Sequence, residues 1–445
     1  MMEMRKVKKH HRSSSSSSSV ISYYENSDVH KRNIDDLPID LVLEILHRLD
    51  LKSATRCKSV SKEWCSVITH PFFARCFVNY NNNSRPIVDH WPFTLLLQYT
   101  DRRTKNGHLL LPLEEEPYFE SLPYIPPMYQ EQRHNEFNIH ASCHDLFLCS
   151  ESAVVSDHNT PFFYYVINPI TRQWTALPPL PDQYTASVVR RPRIGFMCNS
   201  CDILLPHQQL PLSFRVMLIP EFEGISMEFK VYIFSSDTSK WSESVVLCPD
   251  LEGFELGSFA FPAVPYNGLL FWFSRHGSLV GSDPYNSGCY RFIQKPLELD
   301  AYFDNGRLGV SHGALRIAQI SRIPYEYFSD PVLCVWEFKD KGEEGGEWCF
   351  EHQLYLNQMI SEKSPWLSKY VLNKYPAVMV LAFHPNDRDI MYLMIHFKVV
   401  SCNLRRKTLE VVRDLPDPHY FSDGKNVFNF VLPCWPTPIH SSPFL

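Results

Sequence analysis

A small helical unit followed by a much larger all-β domain is the fold class this sequence predicts, and three observations carry that expectation. Between Asn33 and Val78 apolar residues return at helical spacing, Leu41, Ile45 and Leu49 every four residues with Val42 and Leu46 beside them. From Trp91 onward that period gives way to a dozen short runs rich in β-branched and aromatic residues, separated by Pro, Gly, Asn, Asp and Ser. Within those runs a polar turn containing Thr and leading into Trp recurs.

Taken in order, residues 1–32 carry Arg5, Lys6, Lys8, Lys9 and Arg12 and then the serine run Ser13 to Ser19. A segment of this composition cannot build a core and is expected to be a disordered tail. Its basic cluster either keeps the tail solvated or serves as a nuclear-localisation signal.

Residues 33–78 form the helical unit. Asp35 and Asp36 put carboxylates ahead of a helix start, and Pro38 suits its first turn. Glu44 and Arg48 make an i,i+4 pair on the wetter side. Lys52 to Ser59 reads as a second short helix, and Ser61 caps a third that carries Trp64, Val67 and Ile68 until His70-Pro71 stops it. So short a segment buries too little surface to be comfortable alone, so another surface should cover its exposed apolar groups.

The pattern Leu37-Pro38-x-Asp40-Leu41-x-x-Glu44-Ile45-Leu46-x-Arg48-Leu49, then Lys52-Ser53, Arg56 and Val60-Ser61-Lys62-x-Trp64, resembles the F-box as it is written in plant F-box proteins. That resemblance implies docking onto the Skp-family adaptor of an SCF (Skp, cullin, F-box) ubiquitin ligase, and through it onto a cullin. Leu37, Pro38, Leu41, Ile45, Leu46, Leu49, Val60 and Trp64 would then divide between the adaptor interface and the small core.

Composition bounds the remaining partners. Lys plus Arg number 43 against 49 Asp plus Glu, a mildly acidic balance that lacks the basic footprint of a nucleic-acid binder. The 13 cysteines, an odd number without a disulfide-like framework, point to a reducing compartment. There is no signal-peptide pattern and no run of 18 apolar residues, so a soluble protein of the nucleus or cytoplasm, without a membrane partner, is expected.

Residues 79–90, polar and holding Asn81-Asn82-Asn83 and Pro86, read as a linker to the domain at 91–445. Expected strands are Phe93–Tyr99, His108–Leu113, Leu146–Ser150, Phe162–Asn168, Phe214–Ile219, Phe229–Ser235, Leu269–Ser274, Leu315–Ile320, Leu333–Phe338, Val378–Phe383, Ile390–His396 and Val427–Leu432. The turn Asn168-Pro169-Ile170-Thr171-Arg172-Gln173-Trp174-Thr175 matches Ser235 to Ser242, with Thr238 and Trp241 in the corresponding roles. Phe338 to Trp348 and Ser401 to Leu409 look like two further versions. Each reads as the outer hairpin of a four-stranded blade, its aromatic residue packing between neighbours.

A β-propeller of about six blades, within a range of five to seven, follows, with Phe93–Leu113 paired to Val427–Leu432 to close the ring. A pair of β-sandwiches is the alternative. The turn Asn168 to Trp174 followed by Leu177-Pro178 resembles the hallmark of the plant F-box-associated β-propeller family. The kelch type of repeat is not matched, because the only Gly-Gly pair, Gly345-Gly346, lies in a charged turn.

No Gly-x-Ser-x-Gly, phosphate-cradling glycine loop or His-Glu-x-x-His occurs, and no catalytic residue or cofactor is expected. Cys198-x-x-Cys201 reads as one Cys pair in a long loop, with His140, Cys143 and His144 as the additional donors to consider. A zinc site needs four converging groups, so no metal is expected from this spacing. Ser235-x-Asp237-x-Ser239-x-Trp241 is similar to the aspartate box of sialidase propellers but lacks its glycine, and Asp237 reads as a turn former. Four segments stand out as insertions that either bind a partner or are merely solvated: Glu114 to Glu136, Leu180 to Arg193, Ser200 to Leu212 and Arg322 to Pro331.

The two resemblances together imply a non-catalytic substrate receptor: the F-box holds the adaptor while the propeller captures a target protein for ubiquitination. Two alternatives stay open at this point. One is a propeller enzyme or small-molecule sensor anchored by the helices; the other is an F-box protein with a non-degradative role.

Overall fold

The computed structural model describes residues 37–70, 72–74, 76–77, 80, 93–100, 106–112, 137–151, 163–180, 192–198, 213–222, 224–248, 254–255, 262–274, 278–286, 288–297, 306–321, 331–342, 345–359, 365, 378–415, 427–431, 436–437 and 439. The N-terminal tail with Asp35 and Asp36, the linker at 79–90 apart from Tyr80, the loop from Glu114 to Glu136, residues 200–212 and 322–330, and Cys201 lie outside them.

Three helices open the described chain: α1 (Ile39–His47), α2 (Leu51–Arg56), which runs into a 3-10 turn at Cys57–Ser59, and α3 (Lys62–Thr69). Pro38 is the residue before α1 and not within its first turn; at φ −53° and ψ 140° its backbone is extended. Its carbonyl still accepts from Leu41 N at 2.9 Å and Val42 N at 3.2 Å, which starts the helix. The expected second helix tightens into the 3-10 turn after Arg56, and Ser61 caps α3 as expected, its Oγ accepting from Trp64 N at 3.2 Å.

Residues 72–74, 76–77 and 80 are helical as well, Leu356–Met359 makes a 3-10 turn, and the other regular elements of the described chain are strands. A three-stranded sheet holds β1 (Phe93–Thr100) and β2 (Asn106–Pro112). Five four-stranded antiparallel blades follow. The first is β3 (Phe137–Cys143), β4 (Leu146–Glu151), β5 (Tyr164–Asn168) and β6 (Gln173–Ala176). The second is β7 (Arg193–Cys198), β8 (Phe214–Ile219), β9 (Glu228–Ser235) and β10 (Lys240–Leu247). The third is β11 (Val264–Tyr266), β12 (Leu269–Phe273), β13 (Leu279–Ser282) and β14 (Tyr290–Ile293). The fourth is β15 (Gly306–Ser311), β16 (Ala314–Ser321), β17 (Val332–Asp340) and β18 (Gly346–Tyr355). The fifth is β19 (Val378–Phe383), β20 (Ile390–Ile395), β21 (Lys398–Asn403) and β22 (Thr408–Asp414). Finally β23 (Val427–Val431) returns to β1, with Phe93 opposite Val431 and Leu97 opposite Val427. Five complete blades and a closing sheet fall within the expected five to seven, and the closure joins the two strands named from the sequence.

What makes these sheets a ring is where their side chains go. Six apolar clusters sit one between each consecutive pair of sheets. Along β4, Leu146 and Leu148 join the cluster shared with the second blade, while Phe147 and Cys149 join the one shared with the closing sheet. A period of two along the strand thus feeds both neighbours. Such strands read as unbroken apolar runs, as Tyr164–Asn168 does, because both faces are covered. This arrangement displaces the sandwich alternative. At β7 the second and third blades come close enough that a side chain on Gly195 would meet the Trp272 ring, so only glycine fits there.

All four repeated turns are outer hairpins, between β5 and β6, β9 and β10, β17 and β18, and β21 and β22. Arg172, Ser239 and Lys407 hold the same left-handed position in three of them, at φ 57°, 53° and 55°, and Gly345 takes it in the fourth at φ 97°. Trp241 packs against the cluster between the first and second blades, and its Nε1 donates to Pro178 O at 2.8 Å. Trp348 does the same between the third and fourth blades, donating to Gln294 O at 2.8 Å, and Trp174 packs toward the closing sheet. Thr238 is exposed on its turn. Asp237 braces its turn, accepting from Arg215 at 2.7 Å and Ser213 Oγ at 2.9 Å.

A buried polar knot ties the chain's C-terminal part to the first blade. Asp145 accepts from Asn168 Nδ2 at 2.7 Å, Thr437 N at 2.7 Å and Thr437 Oγ1 at 2.6 Å. Burial pushes its carboxyl up to about 6, against the pull of these hydrogen bonds. Asn168 Oδ1 in turn accepts from Ile170 N and Thr171 N, and Pro169 lies buried beside it. Asp145→Ala leaves buried donors on Asn168 and Thr437 without their acceptor and is expected to cost about 3 kcal/mol. Urea unfolding of the two proteins reads the difference.

Candidate partner-binding surface

The apolar arc of α1 is wider than its own core can use. Val42 and Leu46, four residues apart, point inward and join Ala54, Trp64, Ile68, Phe73 and Phe77, with Leu37, Leu43 and Leu49 at the margin. Leu41 and Ile45 form the next stripe and remain 47% and 41% exposed. Ile39, Val60 and Phe72 are exposed as well. Pro38 is also at the surface. The eight residues picked out by the sequence pattern therefore separate: Leu46 and Trp64 are core and unavailable to a partner, Leu37 and Leu49 are half-buried, and Pro38, Leu41, Ile45 and Val60 are outside. Exposed aliphatic side chains repeating along one helix, on a unit this small, are the mark of an interaction surface.

Charge borders this surface. Glu44 and Arg48, an exposed i,i+4 pair, lie three residues on from Leu41 and Ile45 and so flank the same stripe. Asp50, whose role the sequence reading missed, caps α2: its carboxylate accepts from Ser53 N at 2.9 Å and from Ser53 Oγ at 2.7 Å. The available signal was an aspartate three residues ahead of a serine, directly before Leu51. These bonds hold the Asp50 carboxyl below its ordinary 3.8. Its contribution is therefore fully present above that pH and is lost as pH falls through the lowered value. Asp50→Ala is expected to destabilise the helical unit by about 1 kcal/mol at neutral pH. The loss should vanish on acidification below the folded-state value, as thermal melts at both pH values would register.

Behind the surface, the His47 ring stacks on Phe73 at 5.1 Å and 14°, and burial lowers its pKa. Leu51 belongs to the helical core and also packs against the propeller cluster around Leu96, Ile139 and Phe147.

Elsewhere the structure redraws the donor residues considered from the sequence. Cys198 ends strand β7 and is not in a loop. Cys143, His144 and Cys198 offer ligand atoms within 4.8 Å of one another. His140 is turned away, its Nε2 within 2.7 Å of Ser150 Oγ. Among the described residues no helix is long and apolar enough to cross a membrane.

Comparison with known proteins agrees with this division of the chain. The F-box domain family matches residues 34–75, and the family described as "F-box protein At3g26010-like, beta-propeller" matches residues 120–435. Three similar relatives are from Arabidopsis thaliana. The chain is 25% identical to putative F-box protein At3g23970 over 87% of its own length and 89% of that protein's. It is 24% identical to putative F-box protein At3g23950 over 87% and 88%. With F-box protein At3g26010 it shares 27% identity over 81% and 75%.

Proposed function

Because the chain belongs to the family of F-box proteins with an At3g26010-like β-propeller, we propose that it is the substrate-recognition subunit of an SCF-type ubiquitin ligase. The F-box docks on a Skp-family adaptor, which links it to a cullin, and the propeller captures a target protein. The observation that carries this reading is the split on α1, where Leu46 is sealed inside while Leu41 and Ile45 stay outside. A helix that needed only its own core would not leave that second stripe aliphatic.

The mechanism is one of proximity. Holding the target beside a ubiquitin-conjugating enzyme carried elsewhere in the assembly raises the effective concentration of its lysines. No bond chemistry is asked of this chain, and Asp145 and His140 are already engaged in structure, with Thr437 and Ser150.

Mixing the purified full chain with a Skp-family adaptor tests the proposal. A stable one-to-one complex is expected on gel filtration, and its absence at micromolar concentrations of both proteins would overturn the assignment.

A further inference from the structure

Two of the three gathered donors sit at matching places on neighbouring blades. Cys143 is the last residue of β3 and Cys198 the last of β7, and each lies within the apolar cluster shared by the first and second blades. Neither is in a disulfide, both are buried, and their Sγ atoms stand 2.8 Å apart. His144 follows in the turn between β3 and β4, with a left-handed backbone at φ 53°. Along an extended strand consecutive side chains point to opposite faces; the left-handed turn lifts that rule and brings the imidazole to the thiols.

The turn itself is ordinary for this fold. Asn267 and His312 hold the same left-handed place in the third and fourth blades, both at φ 47°. Among the described residues, only at His144 do two cysteines lie within ligand distance. The histidine alone is thus a turn residue, and what sets this corner apart is the pair of thiols from two different blades.

We infer that Cys143, His144 and Cys198 form a zinc site that clips the first blade of the propeller to the second. Two soft sulfur donors and one imidazole are the donor set that zinc takes in preference to calcium or magnesium. Loading replaces two thiol protons, released to solvent, by the metal, and the fourth tetrahedral position goes to water. Zinc–sulfur bonds of about 2.3 Å keep two thiolates roughly 3.8 Å apart. Small side-chain rotations that open the present contact would therefore admit the ion. Cys201 lies outside the described residues and is not counted in the site.

The site has a structural consequence. His144 precedes Asp145, whose carboxylate holds Thr437, and the His144 carbonyl accepts from Val431 N of the closing strand at 3.0 Å. A metal on this turn therefore braces the corner where the ring is fastened.

The test uses the reduced, full-length protein stripped of metal and titrated with cobalt, which reports thiolate ligation by a near-ultraviolet charge-transfer band. One cobalt per chain with that band, displaced by one zinc, is the expected result. Cys198→Ser should lose the band. His144→Asn, which keeps a residue at ease in the left-handed turn, should fold normally and bind cobalt about tenfold or more weakly. Melting of the wild type should shift upward on zinc addition, and that of His144→Asn should shift less. Absence of thiolate absorption in the wild type would overturn the inference, as would unchanged binding in His144→Asn. A Cys143–Cys198 disulfide in protein prepared under reducing conditions would do so too.

Discussion

Replacing Leu41 and Ile45 together by aspartate is expected to abolish the adaptor complex while leaving the melting temperature of the protein within about a degree of wild type, as surface changes usually do. Both side chains are roughly half exposed, so each has apolar area left to bury, contributing on the order of 1 kcal/mol. Truncation to alanine should accordingly weaken binding about thirtyfold for the pair. Aspartate adds the cost of desolvating two carboxylates against an apolar partner, which takes the loss beyond roughly a thousandfold. Leu46→Ala is the contrasting variant. Leu46 is fully buried, so the change should cost about 2 to 5 kcal/mol of stability through the cavity it opens. Calorimetric titration with the adaptor, set beside thermal melts, separates the two. Undiminished affinity in the double aspartate variant would show that this stripe is not the contact.

Arg316→Met is expected to destabilise the propeller by about 3 to 5 kcal/mol, the usual cost of stripping one partner from a buried ion cluster. Arg316 on β16 is fully buried, opposite Glu337 on β17 in the strand register. Its Nε and NH2 donate to Glu337 at 3.0 and 2.7 Å, and NH2 also reaches Glu351 on β18 at 2.8 Å. Arg388, from the turn between β19 and β20, donates to the same two carboxylates at 2.9 and 3.2 Å, so the cluster joins the fourth blade to the fifth. Burial alone would raise the Glu337 carboxyl, but hydrogen bonds from Lys339 and Arg316 outweigh it and hold the group below its ordinary value. That part of the stability is complete above the unfolded pKa of 4.5 and is lost as pH falls through the folded one. The deficit of Arg316→Met in urea unfolding should therefore be larger at pH 7 than at pH 3. Equal deficits at both would mean that Arg316 acts by packing and not by charge.

Much of the ring could be read from residues alone. Phe214–Ile219 and Val378–Phe383 are strands with the expected bounds, and the other ten expected strands are present with ends shifted by a residue or two, because buried strands with covered faces write themselves as aliphatic and aromatic runs. The strands that escaped notice are mostly the outermost and innermost of each blade. Lys240–Leu247 is largely exposed and so lacks an apolar period, and Val264–Tyr266 is three residues long with Pro265 in the middle. The third blade hid its outer hairpin for a related reason. Asp283 to Cys289 supplies the turn, but Tyr290 stands where the other copies have Trp or Leu, and that copy was passed over.

Within the candidate surface, sequence and structure divided the work differently. Leu41 and Leu46 are the same residue type on the same helix, and only the placement of α2 and α3 decides which one is sealed. Spacing alone could not assemble the clusters that draw on distant segments: it marks Cys143, His144 and Cys198 as donors but not their meeting. Asp145 meets Thr437 across 292 residues, Arg316 meets Arg388 across 72, and Cys143 meets Cys198 across 55. Spacing rules see neighbours along the chain, and these contacts exist only because a ring brings remote strands to one place.

The strand β23, laid against β1 at the end of the chain, has a bearing on inheritance. During synthesis the helical unit leaves the ribosome first, hundreds of residues before the last strand is made. If the helical unit docks on the adaptor as proposed, a premature stop codon between that unit and Val427 would yield a protein able to occupy the adaptor with a receptor that never seals. Such an allele would act by competition in a heterozygote, poisoning the pool of shared ligase cores, whereas a lesion on α1 would be silent beside an intact copy.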